Sequence, residues 1–138
     1  MITDPEFIAE SFVRAINRQD PDSITELMSD DHCFIDSLGN RVQGRESMRA
    51  GWKGYFDMVP DYSIVVDEIL SDGPVVVMLG MAQGTYRNPK VPRGTPLKPE
   101  NCWSTPAVLR AFIHEDKVAE WRVYADNDPL RKLMAREA

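Results

Sequence analysis

The side chains able to do chemistry alone are few in this chain, and they stand far apart. Cys33 and Cys102 form no C-x-x-C pair. Without an export signal at the N-terminus they read as free thiols rather than as a disulfide. His32 and His114 are equally remote from each other. On an extended strand His32 and Asp36 would lie about 13 Å apart, too far to share one ion, so no metal is expected. No glycine-rich phosphate loop follows a strand and opens a helix, so no cofactor is expected either. One stretch concentrates charge. Residues 87–100 hold Arg87, Lys90, Arg93 and Lys98 among Pro89, Pro92, Pro96 and Pro99, with Glu100 as the only acid. Proline stiffens such a segment and prevents continuous strand pairing. It reads either as a basic flap that recruits an anionic substrate, or as a solvated loop whose prolines reduce its entropy.

Composition narrows the classes. The chain has 138 residues, 43% of them hydrophobic, with 22 acidic against 16 basic side chains and a formal charge of −6. That length suits one domain, residues 1–138, which buries roughly two-thirds of its unfolded surface and needs no staples. The acidic balance argues against binding nucleic acid, which normally needs a basic face. No apolar run approaches the ~20 residues that span a bilayer, so no membrane partner is expected. The opening MITDPEF lacks a basic region followed by an apolar stretch, which points to a cytoplasmic protein.

The elements that must position any site come in two blocks. Thr3-Asp4-Pro5-Glu6 has the form of a capping box, and Ile8, Phe12, Ala15 and Ile16 then recur at helical spacing to about residue 17. Asp20-Pro21 caps a second, short helix with Ile24, Leu27 and Met28. His32 to Ser37 reads as a short strand that turns at Leu38-Gly39-Asn40. A third helix is expected from about Arg45 to Val59, with Met48, Trp52, Tyr55, Phe56 and Val59 on one side. Gly51 and Gly54 weaken it by roughly 1 kcal/mol each, and bulky neighbours packed on their bare backbone would be one reason for them. Strands follow at Tyr62 to Leu70 and Val75 to Tyr86, joined by Ser71-Asp72-Gly73-Pro74. Two more run from about Asn101 to Ile113 and from Lys117 to Ala125, and Asp128-Pro129 opens a last helix with Leu130, Leu133 and Met134. Helices followed by an antiparallel meander imply an α+β domain with the helices on one face of the sheet. Such a curved sheet encloses a cone whose few polar residues are where chemistry belongs.

A set of short motifs spans nearly the whole chain. They are Ser11-Phe12-Val13-Arg14-Ala15-Ile16-Asn17, Asp20, Met28-Ser29-Asp30-Asp31 and Phe34-Ile35-Asp36-Ser37-Leu38-Gly39. Gly44-Arg45-Glu46, Pro92-Arg93-Gly94 and Lys117-Val118-Ala119-Glu120-Trp121-Arg122 complete it. In these motifs the chain resembles the nuclear-transport-factor-2-like superfamily, within it the branch of ketosteroid isomerases and SnoaL-like polyketide cyclases. The resemblance implies a cone-shaped α+β barrel, its N-terminal helices packed on the concave face of a strongly curved, mainly antiparallel sheet. It also implies a homodimer through the convex sheet face and a hydrophobic small-molecule ligand in the cone.

Residue by residue, the resemblance carries over unevenly. Asp36, in its D-x-x-G setting, stands where the isomerases keep the general base that moves a proton between carbons. Phe12 stands in place of their oxyanion-stabilising tyrosine, and Val108 in place of their protonated aspartate. One such donor is often worth roughly 3–4 kcal/mol, so steroid isomerisation by that mechanism is not expected. Limonene epoxide hydrolase, of the same fold, places an aspartate after Trp-Arg in its last strand. Val123 follows Trp121-Arg122 here, which disfavours that chemistry too.

What remains is Asp36 in an apolar cone, where desolvation would raise its pKa and strengthen it as a base. If Val108 faces the pocket, strand alternation puts Arg110 and Phe112 beside it, with Leu109, Ala111 and Ile113 pointing away. Arg110 then reads as the group that holds a substrate carboxylate or polarises a carbonyl. It reads equally as an ion-pair partner of Asp36, or as a side chain reaching solvent. Phe12, Ile16, Phe34, Trp52, Phe56, Val108, Phe112, Trp121 and Val123 are the candidate pocket lining, although aromatics at such spacing also make ordinary core. Trp103 is expected on the far face from Val108, toward a partner subunit. Glu120, Arg122 and Tyr124 are expected opposite Trp121. Asp126 is a candidate at the mouth, but Asp126-Asn127-Asp128-Pro129 reads more simply as the cap of the last helix. Three functions follow from this reading. The first is an isomerase, cyclase or lyase in which Asp36 takes a proton next to a carbonyl. The others are a non-catalytic binding domain using the same cone, and a dimeric association module.

Overall fold

The computed structural model describes residues 4–138. In chain order it holds α1 (Pro5–Asn17), α2 (Pro21–Glu26), β1 (Met28–Ile35), β2 (Arg41–Gln43), α3 (Arg45–Met58), β3 (Ser63–Asp72) and β4 (Val75–Thr85). A 3-10 turn (Pro99–Asn101), β5 (Cys102–His114), β6 (Lys117–Ala125) and α4 (Asp128–Arg136) follow. Helix α1 starts where the Asp4 carboxylate accepts the Glu6 N–H at 3.0 Å and Pro5 pre-sets the first turn. Thr3, expected as the capping residue, lies outside the described residues. Asp20 caps α2 as expected, accepting from the Ser23 N–H and hydroxyl at 3.2 and 2.6 Å.

The strands form one six-stranded sheet in the order β2-β1-β6-β5-β4-β3, curved and unclosed, with β2 and β3 at its edges. β1 runs parallel to β6 and every other pairing is antiparallel. Helix α1 crosses the hollow of this sheet and touches β3, β4, β5 and β6. Its buried stripe of Ile8, Ala9, Phe12, Val13, Ala15 and Ile16 forms the middle of the core. Phe12 lies 4.7 Å from Trp121 between ring centroids, and both are sealed from solvent. Trp121 sits beside Ala111 on β5, a large residue next to a small one. Burying each such aromatic contributes roughly 1.5–3 kcal/mol.

Two contacts fix the start of β3. Asn17 at the end of α1 both donates to and accepts from the Ile64 backbone, at 3.0 and 2.8 Å, and the Gln19 amide donates to the Tyr62 carbonyl. Further along, β3 carries a bulge between Val66 and Glu68, opposite Gly80. A Cβ at Gly80 would fall 1.8 Å from the Val65 carbonyl oxygen, so only glycine allows that approach.

Several elements differ from expectation. β1 begins at Met28 rather than His32, because the Leu27 carbonyl already accepts the Val118 N–H at 2.7 Å as the chain leaves α2. It ends before Asp36, whose side chain folds back over the following turn. β2 was not foreseen: it is three exposed residues held by pairing with β1. Gly54 has no neighbour within reach of a Cβ and Gly51 meets only the Met48 side chain of its own helix, so neither glycine makes room for a bulky neighbour, and both are exposed. Among the described residues, no helix is long and apolar enough to cross a membrane.

Residues 86–98 form the proline-rich connection. Three of its four basic side chains are engaged with acids and carbonyls at the ends of α3 and α4. Arg87 donates to the Asp57 carbonyl at 2.8 Å, Arg93 pairs with the Asp57 carboxylate at 3.1 Å, and Lys98 meets Glu137 at 3.4 Å. Glu137 also accepts from the Asn101 amide at 2.7 Å. The loop therefore straps α3 to α4.

Candidate functional site

Between α3 and the β1–β6 side of the sheet lies a cavity of about 430 Å³, more enclosed than the shallow clefts elsewhere on the surface. Its walls come from several elements, among them Val42 of β2. Helix α3 supplies Ser47, Met48, Gly51, Trp52 and Tyr55, one stripe at spacings of three and four. β1 and its turn supply Phe34, Asp36 and Ser37. β6 supplies Trp121, Val123 and Ala125, and Tyr62 and Ala82 close the far side. The rings pack mostly edge to face: Phe34 on Trp52 at 6.4 Å, Trp52 on Tyr55 at 6.2 Å, and Tyr55 on Tyr62 at 4.9 Å.

Among the described residues, Asp36 is the only charged one on this wall. Its Oδ1 accepts the Leu38 and Asn40 N–H groups, both at 2.9 Å, and its Oδ2 accepts the Asn40 side-chain amide at 3.1 Å. Two backbone bonds close the same turn, Gly39 N–H to the Asp36 carbonyl and Asp36 N–H to the Asn40 carbonyl, both at 3.0 Å. Gly39 makes this possible at φ +85°, where a side chain would be strained. Desolvation is the largest single influence on the Asp36 carboxyl and pushes its pKa up. The hydrogen bonds from Asn40, Leu38 and Gly39 together outweigh it and hold the carboxyl below its ordinary value. The expected rise in its pKa is thus reversed by the turn.

The other polar groups divide between mouth and interior. At the mouth the Asn127 amide donates to the Ser37 hydroxyl at 3.0 Å. Asn127 occupies the cap position of α4 but makes no side-chain cap bond, while exposed Asp126 accepts the Asp128 N–H at 2.9 Å and does not line the cavity. Deeper in, Tyr55 and Tyr62 have no hydrogen-bond partner for their hydroxyls among the described residues. Burial pushes both phenol pKa values far up, and for Tyr55 the nearby Tyr62 adds to the rise. The Trp52 indole N–H is sealed in the wall without a partner.

Of the candidates read from the sequence, Asp36, Phe34, Trp52, Trp121 and Val123 meet at this cavity. Phe12, Ile16 and Phe56 do not line it. They fill the solid core behind it, Phe12 under Trp121 and Phe56 stacked on Trp52 at 5.5 Å. Val108, Arg110 and Phe112 are on the other face of the sheet altogether. On β5 the buried positions are Trp103, Thr105, Ala107, Leu109, Ala111 and Ile113, so the inward set is the one expected to point away. The inward set is the more apolar one, while the outward set carries Ser104, Arg110 and His114, whose polar groups reach solvent, and Val108 and Phe112 lie with them. Arg110 pairs there with Glu120 at 2.9 Å, remote from Asp36. Trp103 faces inward, 6.1 Å from the Tyr62 ring, rather than toward a partner. Glu120, Arg122 and Tyr124 do lie opposite Trp121, with the Arg122 guanidinium 4.8 Å over the Tyr124 ring.

Sequence reasoning missed Tyr55 and Tyr62 as site residues. The signal for Tyr55 was its place three residues after Trp52 on one helical stripe; Tyr62 had none beyond opening a strand. None of residues 86–100 lines the cavity, so the basic loop is not a flap over it. Both cysteines are free. Among the described residues no group of three or more His, Cys, Asp or Glu side chains is placed to hold a metal ion.

Residues 9–121 match the family described as the SnoaL-like domain. A comparison with curated proteins finds no match. Among solved structures, a protein of Shewanella denitrificans named as a candidate SnoaL-like polyketide cyclase superposes with a TM-score of 0.79 at 15% identity, over 96% of this chain and 97% of that one. An uncharacterised cystatin-fold protein of Novosphingobium aromaticivorans gives 0.70 at 22% identity, over 88% and 98%. A protein of Catenulispora acidiphila with a ketosteroid isomerase-like fold gives 0.69 at 20% identity, over 88% and 86%. At such identities the likeness is one of fold, and fold alone does not assign chemistry.

Proposed function

The chain belongs to the SnoaL-like domain family, and on that premise we propose that it takes a hydrophobic, ring-containing small molecule into its cone and moves a proton next to a carbonyl of that ligand. One observation carries this reading: a half-open apolar cavity of about 430 Å³ in which Asp36 is the only charged wall residue among the described residues. The carboxylate has what a proton acceptor needs. Held below its ordinary pKa, it stays ionised at neutral pH. Oδ1 is occupied by two backbone N–H groups, but Oδ2 takes a single amide hydrogen and keeps lone-pair capacity for a substrate proton. A ligand that expels water from the mouth removes solvation from the charge and makes it a stronger base.

The test is hydrogen–deuterium exchange next to the carbonyl of 2-tetralone in heavy water, followed by NMR. Wild type accelerates the exchange, and Asp36→Asn loses the acceleration by a factor of about 10²–10⁴, the usual weight of a general base. The asparagine oxygen still accepts the two turn N–H groups, so the fold survives. Undiminished exchange in Asp36→Asn sinks the proposal. A second reading, a binding protein without turnover, is favoured by the three hydrogen bonds that hold Asp36 in its turn. It predicts ring-ketone binding in both proteins and acceleration in neither. The same proposal gives the outer sheet face to a second copy of the chain. There half-buried Val75, Val77, Leu79, Val108 and Phe112 make a continuous apolar strip by strand register, beside the Arg110–Glu120 pair.

A further inference from the structure

Phenol hydroxyls on the wall of an apolar cavity lose their hydrogen bonds to water once a ligand fills the space. Unless the ligand replaces those bonds, their loss opposes binding. Tyr62 is only 7% exposed, Tyr55 is largely buried, and neither hydroxyl has a hydrogen-bond partner among the described residues. The two come from different elements, Tyr55 from α3 and Tyr62 from the entry to β3, and their rings stand perpendicular with centroids 4.9 Å apart. Both are fixed from behind. Tyr55 is wedged against Trp52, while the Tyr62 backbone donates to the Val59 carbonyl at 3.1 Å and accepts from the Gln19 side chain.

We infer that Tyr55 and Tyr62 form a two-donor subsite for one acceptor oxygen, and that the cavity selects flat ring ligands bearing a carbonyl over their hydrocarbon counterparts. Burial keeps both phenols protonated across the working pH range, so they act as donors, and a carbonyl oxygen has two lone pairs to receive them. The inference rests on the cavity being a ligand pocket. It does not rest on proton transfer by Asp36.

The probes are 9-fluorenone and fluorene, a matched pair that differs only in the carbonyl and has no proton next to it. Binding is titrated through the fluorescence of Trp52 and Trp121, which line the cavity. Tyr55→Phe and Tyr62→Phe keep ring and volume and remove only the hydroxyl. Each is expected to weaken fluorenone by about five- to tenfold, the weight of one hydrogen bond, with fluorene unchanged within about twofold. The bound fluorenone carbonyl stretch, lowered in wild type, should move back up in each variant. If both compounds bind and neither substitution separates them, the subsite is refuted while the pocket stands. If both compounds weaken together, the tyrosines merely shape the wall, and the subsite is again refuted. If wild type binds neither compound, the pocket reading fails and takes the subsite with it.

Discussion

Mild acidification should lower the stability of this protein through His32. His32 is fully buried on β1, 6.0 Å from the Phe12 ring that underlies Trp121. Its Nδ1 lies 2.6 Å from the Val118 carbonyl oxygen, which makes Nδ1 the protonated nitrogen of the neutral ring, and Nε2 is sealed with no partner. A second proton would therefore create a buried cation whose new N–H has no acceptor. Burial is the largest influence and holds the pKa below 6.5, opposed but not reversed by the Val118 carbonyl and the carboxylates of Asp31 and Glu120. Because the folded value lies below the unfolded one, the unfolded chain takes up its proton first as pH falls. This contribution to stability is complete above about 6.5 and is lost progressively as pH falls toward the folded pKa. For one proton the slope cannot exceed about 1.4 kcal/mol per pH unit, or roughly 3–6 °C in Tm for a domain of this size. The assay is Tm between pH 7.5 and 5. His32→Asn keeps an N–H donor near Nδ1 and cannot titrate, so its Tm should stay nearly flat where wild type falls. His114, exposed beside Glu115, supplies the control: His114→Gln should follow wild type. Asp20, Asp36 and Glu137 are held below their ordinary values of 3.8, 3.8 and 4.5, so what they contribute is lost only at lower pH. Equal slopes in wild type and His32→Asn would refute the argument.

Two further outcomes follow from the sheet's two faces. Arg110→Ala should cost no more than about 1 kcal/mol, since the Arg110–Glu120 pair is partly solvated, and should leave fluorenone affinity unchanged within about twofold. A loss of binding in that variant would mean that the strand faces are assigned the wrong way round. Sedimentation should show a dimer that Phe112→Glu converts to a monomer, by placing an unpaired charge in the apolar strip. A wild-type monomer at high micromolar concentration would end the dimer proposal.

Much of the fold was legible because the first two helices carry their own start signals. Asp4 with Pro5 and Asp20 with Pro21 act locally, through a carboxylate that needs only amides two or three residues away. The turn at Leu38-Gly39 is of the same kind. Elements that depend on distant partners were not legible. β2 is a strand only because β1 lies beside it, and β1 starts early only because Leu27 meets Val118 from the far end of the chain. The loop of residues 86–98 misled for the opposite reason. Its basic residues were visible in the sequence, but Asp57 and Glu137, which engage Arg87, Arg93 and Lys98, stand at helix ends distant in sequence.

The site was legible to the extent that the sidedness of each strand could be fixed. On β6 the large Trp121 sets the alternation, and Val123 and Ala125 follow it into the cavity. On β5 a one-residue shift exchanges the faces completely. The set Trp103, Thr105, Ala107, Leu109, Ala111 and Ile113 is the more apolar of the two and is the one that turns inward, while Ser104, Arg110 and His114 mark the outward set. The resemblance that put Val108 at a pocket position pointed the other way, against this pattern. The same reasoning separates Asp36 from Arg110 as candidates. Asp36 is anchored by a local turn whose geometry its own neighbours dictate. Arg110 depends on which face of β5 turns inward, and the structure turns it toward Glu120 on the opposite surface.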